Sequence, residues 1–372
     1  MTSDQPRILI VGGYGVVGAQ IARILARRSP QARLLIAGRS LEKARQLAAT
    51  LPGSEGGRID VGDADPLASL AMKIDMVVAA VNDPANALMK AAIRRGIAYL
   101  DITRWTERLT PAALEAVALA PVAPAVFASS WMASVPGMIA IHLAADIAEV
   151  ERIDLSILYA LKDNAGPNSV EYADHLAEPF MAFEAGAWKA VRPFTGPKDI
   201  RFPGGGVHRA HRFATPDLVT LPAATGARSV AVRLAYDDAA TVGLLGLLVR
   251  SGVWKAISGS AFEQFRRSLL FNPGPGAPHE VVVEIEGRDT SAAAQHIVAT
   301  IRDPHGQTHL TALGAVLQVE AALGLDGRTP RTPGVHLGET LQDVDGAIAF
   351  LRAEGVEIVV TRGPQDRQAS SR

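Results

Sequence analysis

Residues 8–25 read ILIVGGYGVVGAQIARIL. An apolar run of strand length stops at Gly12 and Gly13, and an alanine-rich amphipathic segment begins after Gly15 and Gly18. Glycine there costs backbone entropy and weakens both a strand and a helix, so the chain must need bare backbone at this turn. Gly13-x-Gly15-x-x-Gly18 follows a strand pattern and opens a helix pattern, which is the context a dinucleotide fingerprint requires. Gly13 permits the tight turn, Gly15 lets the backbone approach a pyrophosphate, and Gly18 lets the helix pack closely on the strand. Bare N–H groups at the helix start hold phosphate charge. The expected phosphate-binding stretch is therefore Gly12, Gly13, Tyr14, Gly15, Val16, Val17 and Gly18.

The next hundred residues agree with this start. Strands are predicted at Arg7–Val11, Arg33–Ala37, Gly57–Asp60, Met76–Val81, Ile97–Ile102 and Pro124–Phe127, separated by helices ending near Arg28, Leu51, Arg95 and Ala120. Continuous apolar strands alternating with helices imply a parallel sheet covered on both faces. Right-handed crossovers make it a doubly wound α/β Rossmann domain. A chain of 372 residues exceeds one compact core. The expected organisation is a nucleotide-binding domain over 1–130, a second α+β domain over 131–325, a C-terminal segment over 326–361, and a disordered tail over 362–372.

The end of the second strand selects the nucleotide. NAD-binding domains usually place an acid about 20 residues past the glycines to hold the ribose 2′-hydroxyl. Here the chain reads IAGRSLEK, with no acid before Glu42, which lies in the next helix. Arg39, Ser40 and Lys43 stand there instead, and a guanidinium beside a hydroxyl suits a 2′-phosphate. The expected cofactor is NADP. The plainer reading makes Arg39 a solvated loop residue and Ser40 a helix cap. Asp60 is expected to border the adenine, or else to be a solvated loop acid. Asn82 is expected beside the cofactor, or else as a helix cap before Pro84. Asp101 and Thr103 end the fifth strand, at the carboxyl edge where ligands collect.

Composition excludes other classes. Lys and Arg number 37 against 38 Asp and Glu, so no charge excess calls for nucleic acid or an anionic membrane. The absence of cysteine removes disulfides, thiolate metal sites and a cysteine nucleophile, and suits a cytoplasmic protein. No signal-peptide pattern opens the sequence. Ala116–Ala145 carries no charged side chain, but Pro121, Pro124 and Pro136 interrupt it, so helix, loop, strand and helix inside a protein is the expected reading. His305/His309 and His208/His211 fall in turn and strand patterns, so no metal site is expected. No Tyr-x-x-x-Lys pair, Gly-x-Ser-x-Gly elbow or P-loop lysine is present.

In the second half, strand-like runs come in neighbouring pairs, at His208–Ala214, Ser229–Tyr236, His279–Glu286 and Gln295–Arg302. Ser134 is expected to cap a helix starting at Pro136. Asn168-x-x-Glu171 resembles a capping box and predicts a helix from Ser169 to about Gly186, with Tyr172 and His175 on one face.

The segments VGGYGVVG, AGRSLEKA, VNDPANALMKAAIRRGIAYLDIT and SVPGM together resemble the saccharopine dehydrogenase-like family of NADP-dependent reductases. Weaker likeness continues in DNAGPNSVEYADHLAEPF, IRDPHGQTHLTALGA and PGVHLGETLQDVDGAIAFLRAEGVEI. The resemblance implies an NADP-dependent oxidoreductase, a second domain over 131–325 for substrate and dimerisation whose sheet often builds a homodimer, a small-molecule substrate held between domains, and a C-terminal segment over 326–361 packing back. A saccharopine-forming member would want clustered arginines for a polycarboxylate, for which Arg192, Arg201, Arg209 and Arg212 are available. It leaves imine reduction and enoyl reduction both open. Candidates for the proton donor are Tyr99, Asp101, Asp163, Tyr172 and His175, with Tyr172, His175 and Asp101 preferred. The alternative from another class is a non-catalytic NADP-binding sensor.

Overall fold

The computed structural model describes residues 5–164, 178–257, 262, 274 and 276–363. In chain order the first elements are β1 (Arg7–Val11), α1 (Val16–Arg28), β2 (Arg33–Gly38), α2 (Leu41–Ala48), β3 (Glu55–Arg58), β4 (Met76–Ala79), α3 (Ala87–Arg94), β5 (Ala98–Asp101), α4 (Thr106–Ala118), β6 (Pro124–Phe127) and α5 (Val135–Ala144). There follow β7 (Glu149–Tyr159), β8 (Phe180–Glu184), β9 (Ala187–Val191), β10 (Lys198–Arg201), β11 (Val207–Arg212), α6 (Asp217–Thr225), β12 (Ser229–Tyr236), α7 (Ala239–Arg250) and α8 (Val253–Ala256). The last are β13 (His279–Arg288), β14 (Ala294–Asp303), α9 (Gln307–Leu323), β15 (Gly334–Leu337), α10 (Val344–Ala353) and β16 (Glu357–Gly363). The chain forms two compact units, Met1–Val135 with Thr308–Asp343, and Pro136–Gln307 with Val344–Arg372.

The first unit holds a parallel seven-stranded sheet in the order β15-β6-β5-β4-β1-β2-β3. Its strands are continuous apolar runs because both faces are covered. Leu9, Val11, Val77 and Ala79 pack with Leu88, Ala92, Leu109 and Ala112 of α3 and α4, while Ile8, Ile10, Ile36 and Val78 are buried on the opposite face. The chain runs from β1 outward through β2 and β3, then crosses back to β4 on the other side of β1. That reversal opens a crevice at the carboxyl ends of β1 and β4. The doubly wound fold is as the alternation predicts. The seventh strand, β15, comes from far along the chain and pairs with β6. The uncharged stretch Ala116–Ala145 divides among α4, β6 and α5, and no helix among the described residues is long and apolar enough to cross a membrane.

The second unit holds a mixed seven-stranded sheet, β10-β11-β12-β7-β13-β14-β16, and a separate β8–β9 hairpin. Only β12 and β7 run parallel; the other pairs are antiparallel. On β7, Ile153, Leu155 and Ile157 point to one face and Asp154 and Ser156 to the other, and all five are buried. The α+β character is as expected.

Three local expectations are corrected. The helix predicted from Ser169 to Gly186 does not reach Gly186, because Phe180–Glu184 is strand β8. Ala185 (φ 52°) and Gly186 (φ 78°) form its two-residue turn into β9, with Glu184 opposite Ala187. Two left-handed residues match the twist of a hairpin, and Pro179 disfavours helix before it. Residues 165–177, with Tyr172 and His175, lie outside the described residues, as does the helix predicted at 261–268 except Phe262. Ser134, expected as a helix cap, is itself left-handed at φ 70°, after Met132 and Ala133 at φ 51° and 49°, and its buried Oγ has no hydrogen-bond partner among the described residues. Arg362 and Gly363, expected in a tail, lie in β16, and residues 364–372 lie outside the described residues.

Candidate dinucleotide site

The four glycines of the turn are there for different reasons. Gly12 has φ +82°, and a Cβ there would meet the Ala80 carbonyl oxygen at 2.5 Å. A Cβ on Gly13 would lie 2.7 Å from the Ile10 oxygen, and one on Gly18 only 2.2 Å from the Gly12 oxygen. These three are required by the protein's own backbone. The N–H groups of Gly12 and Gly13 both donate to the Ala37 carbonyl, at 2.9 and 3.0 Å, which ties the turn to β2. Gly15 differs: its φ is −72°, open to any residue, and a Cβ would meet nothing closer than the Gly12 oxygen at 3.1 Å. It is the N-cap of α1 and has no side chain with which to cap the first turn. The N–H groups of that turn have no partners inside the helix, and the helix dipole concentrates positive potential there.

At the end of β2, Arg39 is exposed and forms no ion pair among the described residues. Ser40 caps α2: its Oγ accepts the Lys43 N–H at 3.3 Å. The Ser40 N–H donates to the Tyr14 hydroxyl at 2.9 Å. Lys43 is exposed one turn into α2. Asp60 lies just past β3 and accepts the Gly62 N–H at 3.0 Å. Tyr14, Arg39, Ser40 and Lys43 thus gather around the β2 terminus.

The carboxyl ends of β4 and β5 carry a buried polar lattice. Asp101 is fully buried and forms an ion pair with Arg104 at 2.9 Å, while Tyr99 Oη donates to it at 2.8 Å and the Thr103 N–H at 2.9 Å. Its carboxylate is committed to the protein and not presented to solvent. Burial and the Asp101 charge push the Tyr99 phenol well above its usual range. Asp83 caps α3, accepting N–H bonds from Ala87, Leu88 and Met89 at 2.9, 3.0 and 3.2 Å, and burial raises its carboxyl above the ordinary range. Arg108 of α4 donates to Asn82 Oδ1 at 2.5 Å and to the Asp83 carbonyl at 2.9 Å. Asn82 is thereby fixed at the loop edge. Arg104 and Arg108 have no motif in the sequence; the only signal is that β5 ends in an acid with arginines three and seven residues on.

In the second unit, Asp163 is buried and accepts the N–H groups of Asn164 and Gln307 at 2.7 and 2.8 Å; burial raises its carboxyl. Of the four arginines offered for a polycarboxylate, Arg192, Arg201 and Arg209 are exposed. Arg212 turns inward and pairs with Glu184. Nearby, Asp154 is met by Arg233 and Arg152 at 2.9 Å each and by Lys198 at 3.4 Å, and Lys198 also reaches Glu284 at 2.6 Å. Burial pushes the Asp154 carboxyl up, but these three cations bring it below the usual range. This arginine cluster assembles β7, β10 and β12 residues that no sequence motif links.

A parallel sheet in this order, with a glycine turn at the carboxyl end of β1, defines a dinucleotide-binding domain. Residues 8–125 match the family described as the saccharopine dehydrogenase NADP binding domain. The likeness to that family lies in the nucleotide-binding domain, and it supports a nicotinamide dinucleotide as the cofactor class. Among solved structures, the chain is similar to an apo saccharopine dehydrogenase (L-Glu forming) from Saccharomyces cerevisiae, at 13% identity over 96% of this chain and 100% of that one, with TM-score 0.68. A meso-dapdh mutant from Clostridium tetani E88 matches at 9% identity over 94% and 100% of the two chains, with TM-score 0.45. GenD2 from gentamicin A biosynthesis, in complex with NAD, matches at 12% over 97% of each, with TM-score 0.42. No curated protein matches the sequence.

Proposed function

We propose that the protein is an NADP-dependent oxidoreductase whose dinucleotide lies on the glycine turn and the β2 terminus. The observation that carries this reading is Gly15, the glycine of the turn that the protein's own backbone constrains least, with φ −72° and its nearest Cβ contact at 3.1 Å. A glycine kept where the backbone angles do not demand one leaves room for a ligand. Tyr14, Gly15, Val16 and Val17 would hold the pyrophosphate, with Gly12, Gly13 and Gly18 shaping the turn. Arg39, Ser40 and Lys43 would face the 2′-phosphate, Asp60 the adenine, and Asn82, steadied by Arg108, the far ribose. The exposed and unpaired Arg39, with no acid at the β2 terminus, supports NADP over NAD.

When bound, the nicotinamide supplies hydride transfer. The residues of this chain bind and orient it. Asp101 acts here as a positioning residue, holding Tyr99, Thr103 and Arg104 behind the loop. Tyr172 and His175 remain the proposed proton donors by family likeness. The substrate class proposed is an imine or amino-acid-derived compound, or an enoyl compound, and the assembly a cytoplasmic homodimer. Gly15→Val tests the cofactor reading. The branched side chain fills the pyrophosphate's place at the cost of a small shift of the Gly12 carbonyl, so NADPH fluorescence titration should show no binding while circular dichroism still reports a folded protein. Undiminished NADPH binding overturns the reading. NADPH oxidation against imine precursors and enoyl thioesters separates the substrate classes, and binding without turnover on either favours a sensor.

A further inference from the structure

The first backbone donor of α2 is the Ser40 N–H, at the strand end where a ribose 2′ substituent is read. That donor is already taken by Tyr14 Oη at 2.9 Å. The phenol belongs to the glycine turn itself, and its ring lies against Gly38. A Cβ on Gly38 would stand 2.6 Å from Tyr14 Cε1 and 2.8 Å from Oη. Gly38 has no positive φ, so its missing side chain answers to the ring and not to the backbone. The chain thus gives up a side chain at the last position of β2 to seat a tyrosine from the turn. A phenol oxygen that accepts one N–H keeps its own proton to donate. Among the described residues no acceptor receives it. The half-buried hydroxyl therefore presents one oriented O–H beside Arg39 and the Ser40 cap.

We propose that Tyr14 is a specificity-determining residue, whose hydroxyl, oriented by the Ser40 N–H and the Gly38 seat, donates to a phosphomonoester on the ribose 2′ carbon. The proposal rests on the reading of the glycine turn and β2 terminus as a dinucleotide site selective for NADP. A phosphate gains more from a fixed O–H donor than a neutral 2′-hydroxyl does, because a charge-assisted bond is about twice as strong as a neutral one. Tyr14 then belongs to both halves of the nucleotide site: its backbone lies in the pyrophosphate turn and its hydroxyl reads the 2′ position.

Tyr14→Phe removes the hydroxyl and keeps the ring on Gly38. Calorimetric titration of wild type and variant with NADPH, NADH, adenosine 2′,5′-bisphosphate and AMP tests the assignment. The variant should bind NADPH and the bisphosphate about tenfold more weakly, with NADH and AMP unchanged within about twofold. An equal loss for all four ligands means that Tyr14 only shapes the turn, and overturns the proposal. NADPH selectivity that survives intact in the variant also overturns it, while leaving the NADP reading standing. Wild-type protein that binds NADPH and NADH equally removes the NADP reading itself, and this assignment with it.

Discussion

The glycine turn of the first unit and the Asp154 cluster of the second treat polarity in opposite ways. In the turn, the donors are backbone N–H groups at an uncapped helix start, with no acidic side chain beside them and Arg39 unpaired nearby. Around Asp154 three cations converge on a buried carboxylate, Lys198 also reaches Glu284, and neighbouring Arg212 pairs with Glu184. A buried charge whose partners are all supplied by the protein stabilises by not being left alone. Donors with no protein partner are available to something from outside. The difference separates residues whose loss unfolds the protein from those whose loss only empties a site.

The largest expected effect comes from the compensated region. Asp154→Leu leaves Arg233, only 6% exposed, without its ion-pair partner. Breaking a buried pair from one side costs roughly 3–5 kcal/mol, which urea unfolding would read as a large drop in midpoint. Loss of less than about 1 kcal/mol would mean that the charges are solvated, and the comparison would fail.

Next is a pH effect from the same sheet. His279 on β13 is 1% exposed, and burial lowers its pKa from 6.5 to about 4. The unfolded chain takes up this proton near the ordinary value, while the folded protein does so only near 4. Stability therefore falls as pH drops from 6.5 towards 4 and levels off below, by about 3 kcal/mol in all. His279→Gln should flatten that part of the stability profile. An unchanged slope would assign the acid sensitivity to other groups.

On the open side, Arg39→Asp should weaken NADPH binding by about tenfold or more, through a lost charge-assisted bond and added repulsion. NADH binding should fall less or improve, and the melting temperature should hold, since Arg39 has no partner to lose among the described residues. A variant that melts early would move Arg39 to the compensated class.

These regions were not equally legible in the sequence. The glycine turn could be read because its three parts are contiguous: β1, the loop and α1 follow one another, and each glycine's spacing carries a steric meaning. The parallel alternation through β6 was legible for the same reason. Strand β15 was not, since Gly334–Leu337 is short and becomes a strand only by pairing with β6, some 200 residues earlier. Hairpin β8–β9 was hidden behind the capping-box pattern at Asn168 and Glu171. Asp101 was placed at the right sheet edge, but Arg104 and the Tyr99 hydroxyl, which engage its carboxylate, follow from the fold of the loop and not from spacing. The contact of Tyr14 with Ser40 spans 26 residues. Its one sequence trace is Gly38, a glycine ending an otherwise apolar strand.

The smallest effect falls on Ser40, which stands on both sides of the comparison. Its Oγ accepts the Lys43 N–H at 3.3 Å and so serves the fold as the cap of α2, while the same hydroxyl sits where a 2′-phosphate is proposed. Replacing a serine N-cap by alanine costs about 1 kcal/mol, and the long 3.3 Å bond places Ser40→Ala at or below that figure. Ser40→Gly keeps the cap position open to water and should cost only a few tenths of a kcal/mol. If Ser40 is a cap alone, the two variants differ in melting temperature and bind NADPH alike, as wild type does. If it also binds, both lose NADPH affinity to the same extent despite their different stabilities. Chemical denaturation and NADPH titration on this pair separate the two jobs of one hydroxyl, because alanine and glycine remove the same ligand bond but disturb the helix start unequally.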